Sequence, residues 1–381
     1  MKRYTALVSL LPVMGAVLPA QAEMNIDISG YGSIVAGKTF GSVDDPLNAG
    51  ETRDEILTAD FYDVGQYDND IAFKPESVFA LQMTTQLTDD LKITGQLVAK
   101  GTDDFEPEFD WYYLTYQLSD DWTIMAGRRN IPMYYFSEFV EVGYAYPWIR
   151  PPANLYWWQI TQFDGLHVSY SFDWGEVSNK ITAFYGNEKS YDNKEMLYYE
   201  RLFSGSATSI DEFWTDILGF NWNVTGEWFE LRFVYFQNDR DRDRNFADGS
   251  LEVVPTFDQR FLGLGGNINI GDFTFLFDYN DVRYDDDEGT YYPTYMVSLV
   301  YNIGDYQPYI YYSKADHESR DLTPVEEDLE EHFMIGYGVR YNFSHNAALK
   351  IQYDVWRDQG GPGWDYHGDS DTLAIALDFI F

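Results

Sequence analysis

The chain has 381 residues and a formal net charge of −38, with 63 acidic against 25 basic side chains. So negative a chain excludes nucleic acid and anionic lipid headgroups as electrostatic partners, and its lack of cysteine means that it is stable without disulfides. Aromatic residues reach 18% (32 Tyr, 27 Phe, 11 Trp); a salt-adapted soluble surface explains the acidity but not the rings, which suit girdles at two membrane interfaces.

Met1-Lys2-Arg3, the mostly apolar run from Tyr4 to Pro19, and Ala20-Gln21-Ala22 have the layout of a signal peptide cleaved after Ala22. Residues 1–22 are then the signal and 23–381 a single domain. No later apolar run reaches the roughly 18 residues that a membrane helix needs. Export without such a helix leaves the periplasm, the medium or an outer-membrane barrel as destinations.

Past the signal, apolar and polar side chains alternate, which gives a strand two unlike faces. The first strand is expected at 25–38, ahead of an acidic, turn-rich loop at 40–75. The second, 77–87, sets Phe79, Leu81 and Met83 outward and Gln82, Thr84 and Gln86 inward. After the tight turn Thr88-Asp89-Asp90, the third, 91–100, has Leu91, Ile93 and Leu97 outward with Lys92, Thr94, Gln96 and Lys100 inward. The fourth and fifth, 109–119 and 122–131, turn at Asp120-Asp121, and a long loop separates them from the sixth and seventh, 164–174 and 178–188. Strands at 215–225 and 228–238 turn at Gly226-Glu227, those at 260–270 and 273–283 at Gly271-Asp272, and those at 292–303 and 306–315 at Gly304-Asp305. Strands at 332–343 and 347–357 turn at Ser344-His345-Asn346. The last, 371–381, lines up Leu373, Ile375, Leu377, Phe379 and Phe381 on one face, and Thr372, Ala374, Ala376, Asp378 and Ile380 on the other.

Short turns therefore alternate with long loops, and the strand count is even. A soluble β-sandwich has shorter strands, with polar faces outward. The pattern predicts an all-β fold: a transmembrane antiparallel up-and-down β-barrel of about 16 strands, with short periplasmic turns and long outer loops.

The start Ile28-Ser29-Gly30-Tyr31-Gly32, the paired strands, Ala126-Gly127-Arg128-Arg129 before the long third loop, and the final Phe381 resemble the trimeric general porins of Gram-negative outer membranes. The resemblance spans the mature chain and is architectural rather than motif-sharp. It implies a sixteen-stranded, water-filled homotrimeric barrel whose third loop folds into the lumen. It also implies that Phe381 acts as an assembly signal, read by the barrel-assembly machinery.

The third loop, 132–160, carries Tyr134, Tyr135, Phe136, Phe139, Tyr144, Tyr146 and Trp148 among Pro132, Pro147, Pro151 and Pro152. A segment this aromatic would be a large apolar patch in water, so it must pack on something, and the inner wall of the barrel is nearest. The prolines end strand pairing and fix the loop's path. Glu138 and Glu141 are then expected at a pore constriction, opposite Arg129, with Arg150, Lys92 and Arg340 nearby. A lid or a subunit contact is the alternative reading of the same loop.

Lys92, Lys100, Arg129, Lys180, Arg232, Arg340 and Lys350 all fall on the polar face of their strands. A charge facing lipid near the midplane costs about 2–4 kcal/mol, so these side chains are expected to form a basic lumen wall. Opposed acidic and basic rings set ion preference. Pairing with Asp110, Glu230 or Asp354 is the structural alternative for any one of them, and Arg128 has the opposite parity to Arg129.

Acid runs mark the outer loops: 285–288, 326–328, Glu330-Glu331 and the stretch from Asn238 to Asp248. Asp239, Asp241 and Asp243 begin an EF-hand spacing, but Arg244 stands where the glycine belongs and Ser250 where the closing Glu belongs. A solvated surface, or cation bridges to lipopolysaccharide, is what remains. Catalytic motifs are absent, and His167 and Ser169 lie two residues apart on one strand face, too far for direct proton relay. The sequence thus points to a non-enzymatic outer-membrane channel, without cofactor or metal, for passive diffusion of ions and small hydrophilic solutes, weakly cation-preferring. Its expected partners are membrane lipid, lipopolysaccharide, the assembly machinery and two further copies of itself. The rivals are a sugar-selective channel and a plugged barrel serving as an adhesin or phage-docking surface.

Overall fold

The computed structural model of the chain describes residues 26–45, 50–61, 63–202, 205–285, 289–319, 329–361 and 368–381. The expected signal peptide, the acidic residues 286–288 and the run 326–328 lie outside these. The barrel strands are β1 (Ile26–Thr39), β2 (Val78–Thr88), β3 (Leu91–Lys100), β4 (Glu108–Gln117), β5 (Trp122–Asn130), β6 (Gln162–Trp174), β7 (Val177–Ser190) and β8 (Ala207–Thr225). They continue with β9 (Phe229–Phe246), β10 (Leu251–Ile270), β11 (Phe273–Tyr284), β12 (Thr290–Tyr301), β13 (Tyr306–Asp316), β14 (Glu331–Ser344), β15 (Ala347–Asp358) and β16 (Ser370–Ile380). Each pairs antiparallel with the next, and β16 returns to β1 with Ser33 opposite Asp378 and Gly32 opposite Phe379. The sixteen-stranded barrel is closed, so no strand edge is left unpaired in lipid, where unsatisfied backbone groups are costly.

Side-chain alternation does what the sequence implies. Leu114, Leu166, Phe220, Leu264, Phe275, Leu299, Ile351 and Leu377 are exposed on the outside, forming the band that lipid covers. Thr94, Gln96, Ser169, Thr182, Asn221, Ser298, Ser313 and Thr372 are buried on the inside. Gly271 and Gly304 take positive φ (59° and 56°) in the tight turns, a conformation that costs glycine little.

Two departures from the sequence reading have clear causes. First, β8, β9 and β10 run for 19, 18 and 20 residues, far past the expected ends at 215, 238 and 260. The Asn238–Asp248 stretch, expected as loop, alternates Asp with Arg through Arg244 and so keeps the two-residue period of a strand, with Glu212 opposite Arg242. Second, the first long loop is not merely acidic surface. It forms two small hairpins, Ser42–Asp44 with Thr52–Asp54 and Leu57–Asp60 with Gly65–Tyr67. Leu57, Phe61 and Tyr67 are buried, and Phe61 meets Trp157 edge-on at 5.8 Å. The β7–β8 loop carries α1 (Lys194–Leu202), capped by Asn193, whose Oδ1 accepts from the Met196 N–H at 3.0 Å.

Candidate pore constriction

Loop three leaves β5 at Asn130 and rejoins the wall at Gln162. Between them Ile131, Met133, Tyr134, Phe136, Tyr146, Trp148, Leu155, Trp157 and Trp158 are all buried. The aromatic segment has gone where its composition required, into the lumen. Phe136 packs edge-on against both Tyr146 and Trp148 at 5.6 Å, and Trp148 against Tyr311 of β13 at 6.2 Å. A Trp or Tyr buries about 150–250 Å², worth about 4–6 kcal/mol gross at about 25 cal/mol/Å², so ring packing dominates the loop's attachment.

Polar bonds then fix its register. The Tyr135 N–H and the Tyr156 hydroxyl both donate to Asp278 of β11 at 2.9 Å. Trp148 Nε1 donates to Ser298 of β12 at 3.1 Å, the Ile149 N–H to Gln352 of β15 at 2.9 Å, and Ser313 of β13 to Asn154 at 2.6 Å. Loop three therefore crosses the lumen and attaches to wall strands far from its own.

The expected constriction residues divide into three groups. Glu138 meets Arg232 of β9 at 3.1 Å rather than Arg129. Burial works to raise the Glu138 carboxyl, but Arg232 and Arg129 beside it outweigh that and hold it below its ordinary range. Arg129 keeps its guanidinium 4.8 Å from the Tyr113 ring centre and NH1 2.9 Å from Met125 Sδ. Lys180 lines a cavity of about 370 Å³ with Glu138, Arg232 and Glu230, beneath the loop.

Glu141 is elsewhere. It lies 3.3 Å from Arg150 of its own loop and 3.6 Å from Lys100 of β3, which also pairs with Asp63 of loop one at 2.8 Å. Arg150 NH2 donates to the Glu76 carbonyl at 2.7 Å. Burial works to lower the Arg150 pKa, but Tyr146, Glu141 and Glu76 raise it well above its usual value.

The third group grips backbone. Arg340 NH1 donates to the carbonyls of Tyr144 and Tyr146 at 2.7 and 2.9 Å. Lys350 donates to the carbonyls of Gly143, at 2.6 Å, and Trp148, and pairs with Asp378 of β16 at 2.9 Å. Lys92 joins none of these groups: it is exposed, in the second position after the β2–β3 turn, opposite Gln86. Parity put it on the lumen face but could not give its depth.

Of the acids weighed as partners for wall cations, Glu230 accepts from the Tyr135 hydroxyl at 2.9 Å and Asp354 from the Tyr311 hydroxyl at 2.6 Å, while Asp110 accepts from Gln162. Arg128, left unplaced by parity, pairs with Glu188 at 2.6 Å. His167 is wedged beside Phe163 at 5.0 Å, and the Ser169 hydroxyl bonds Thr182 at 2.8 Å, so the two do not form a pair.

A family model described as a Gram-negative porin matches residues 158–361, just over half of the chain. The chain belongs to that family. It is an outer-membrane channel protein. Three solved structures share its fold. OmpT of Vibrio cholerae, expressed in the outer membrane, gives a TM-score of 0.59 at 13% identity, covering 96% of this chain and 100% of that one. The anion-selective porin from Comamonas acidovorans gives 0.57 at 14%, covering 94% and 100%. The outer-membrane channel DcaP of Acinetobacter baumannii gives 0.59 at 11%, covering 96% and 99%. At such identities the likeness carries the fold alone. No curated protein matches the chain by sequence.

Sequence reasoning missed two parts of this porin's interior. Asp278 accepts from the Tyr135 N–H and the Tyr156 hydroxyl of loop three, and nothing local separates it from other inward acids; Asp354 was read as an inward acid, but its partner is the Tyr311 hydroxyl. Arg240 and Arg242 clamp Glu212 in the outer vestibule; the Asp–Arg alternation from 239 to 244 was the available signal.

Proposed function

We propose that this porin is a passive, non-enzymatic diffusion channel for ions and small hydrophilic solutes, with a weak cation preference set under loop three. One observation carries the reading: Glu138 on the loop pairs with Arg232 at 3.1 Å beside a cavity of about 370 Å³ that Lys180 also lines, and the charge of Arg129 acts on the same carboxyl. Opposed charges across a narrow passage bias which ion enters. The net charge of −38 raises cation concentration at the mouth, while the wall cations restrain the bias. The working form is a homotrimer embedded in lipid and lipopolysaccharide, delivered by the barrel-assembly machinery after removal of residues 1–22.

The deciding measurement is single-channel recording in a salt gradient. The Glu138→Gln/Glu141→Gln double variant is expected to shift the reversal potential toward anions, and Arg129→Gln to shift it the other way. Both shifts fade near about 1 M salt, where the screening length is about 3 Å. Unchanged reversal potentials in both variants would remove loop three as the selectivity element. The plugged reading rests on a different observation: the two cavities on the outer side of loop three share no lining residue with the two on its periplasmic side. A wild-type barrel without measurable conductance would favour it.

A further inference from the structure

On the outer side of loop three lies a cavity of about 730 Å³, a size typical of small-molecule sites at about 300–1,000 Å³. Its floor is the end of loop three, Trp157 and Trp158, and its wall is the outward extension of β9 and β10 with Tyr284 of β11 and Tyr292 of β12. Half-buried Phe257 and Tyr292 line it, held by Tyr284, which lies 5.0 Å from Phe257 and 5.7 Å from Tyr292; His317 stacks on Tyr292 at 4.2 Å and the Arg240 guanidinium lies over the Phe257 ring at 5.5 Å.

The three guanidinium groups there are all paired. Glu212 takes both Arg240 and Arg242, while Arg244 lies 3.3 Å from Glu200 and 3.4 Å from Glu252. With Asp285 and Glu330 also lining the cavity, these paired guanidinium groups leave no net positive field for an anion. What they leave is a row of fixed donors and acceptors beside aromatic faces.

Two buried atoms lining the cavity lack any partner: Trp158 Nε1, a donor, and Glu195 Oε2. Their residues are 4% and 1% exposed. Buried polar atoms in folded proteins are nearly always hydrogen-bonded, so an orphaned pair on residues that line the cavity marks a place for a ligand's polar groups. Burial pushes the Glu195 carboxyl well above its ordinary range, which suits hydrogen bonding to a neutral hydroxyl and disfavours service as an ion-pair partner.

We propose that this outer vestibule is a binding site for neutral saccharides. The apolar face of a sugar ring stacks on Phe257 and Tyr292, and its hydroxyls bond Trp158 Nε1, Glu195 and Arg242. Rings supply area at low entropic cost, and planar charged groups in matched pairs suit adjacent hydroxyls better than a net charge. The site lies upstream of the constriction, so it concentrates sugar at the channel entrance.

The test is an equilibrium titration of the folded full-length protein in detergent with maltose, succinate or choline, read by calorimetry and tryptophan fluorescence. These readouts do not require an open pore, so a failure of conduction is separable from a failure of binding. Saturable maltose binding is expected, weakened about tenfold in Phe257→Leu and unchanged in Trp228→Leu, which alters the opposite, periplasmic end. Tyr292→Leu is a second, independent variant, and a heat-shift gel confirms that each has folded. Absence of saturation by maltose overturns the proposal. So does preferential binding of succinate or choline, or full maltose affinity in the folded Phe257 and Tyr292 variants.

Discussion

Replacing Lys350 with Met tests whether wall cations act here as tethers for loop three. Lys350 is fully buried, pairs with Asp378 at 2.9 Å, and donates to the carbonyls of Gly143 and Trp148. Removing one member of a buried ion pair costs about 3–5 kcal/mol, because its partner stays buried and uncompensated. The Gly143 and Trp148 carbonyls lose charge-assisted bonds of about 1.5–3 kcal/mol each, which overlap with that figure rather than add to it. Ring packing of Tyr146 and Trp148 is of similar size (about 4–6 kcal/mol each, gross), so the variant barrel folds with the 143–150 segment loosened. We expect Lys350→Met to lower the unfolding free energy in detergent–urea titrations by about 3–5 kcal/mol and to raise single-channel conductance. Lys350→Met with Asp378→Leu removes both charges, and a coupling energy of about 2–3 kcal/mol should appear in the double-mutant cycle. Single-variant costs below about 1 kcal/mol that simply add would refute the tether argument.

Four further outcomes are expected. Glu138 is held below the ordinary carboxylate range, so its contribution to docking is present above that range and is lost only as pH falls through the depressed value. Cation preference measured by reversal potential should therefore persist through the ordinary carboxylate range and fade only at lower pH. The native protein should run as an oligomer in unboiled detergent gels and as a monomer after heating, and a monomer by light scattering in mild detergent would sink the trimer. Deleting Phe381, whose N–H and carbonyl both bond Gly30 at 3.0 Å, should sharply lower the folded barrel recovered from outer membranes. Gly127 has φ 135° and an added Cβ would lie 2.2 Å from the Tyr112 carbonyl oxygen, so Gly127→Ala should abolish heat-modifiable folded protein.

The barrel was legible because lipid imposes one rule on every strand: outward apolar, inward polar, period two. That rule places β3 and β13 nearly to the residue. It failed for β8 to β10, where the wall leaves the membrane and an Asp–Arg alternation replaces the apolar one while keeping the same period. The inward folding of loop three was also legible, because the ten rings of residues 132–160 cannot all face water. Which cation meets which acid was not. Parity says that Arg232, Lys350 and Lys92 share the lumen face but says nothing of their height along the axis, and height is what separates an ion-pair partner of Glu138 from a backbone clamp or a rim charge.

That separation bears on selectivity itself. A porin that lines its bore with free cations would favour anions, and the sequence alone offers seven wall candidates for that role. The structure commits most of them elsewhere. Lys100 is taken by Asp63 and Glu141, Arg232 by Glu138 and the Tyr135 carbonyl, and Arg340 and Lys350 by loop-three carbonyls. Among the described residues Lys180, which lines the cavity beneath the loop, and Arg129, whose charge acts on Glu138, have no ion pair, and Lys92 sits at the rim. The wall's positive charge therefore serves chiefly to hold an aromatic loop across the lumen, and the field left over is small. The weak preference proposed above is consistent with that small field, and on that proposal tethers and selectivity filter are separable by mutation. Lys350→Met should change conductance and leave the reversal potential nearly fixed, whereas Arg129→Gln should do the reverse.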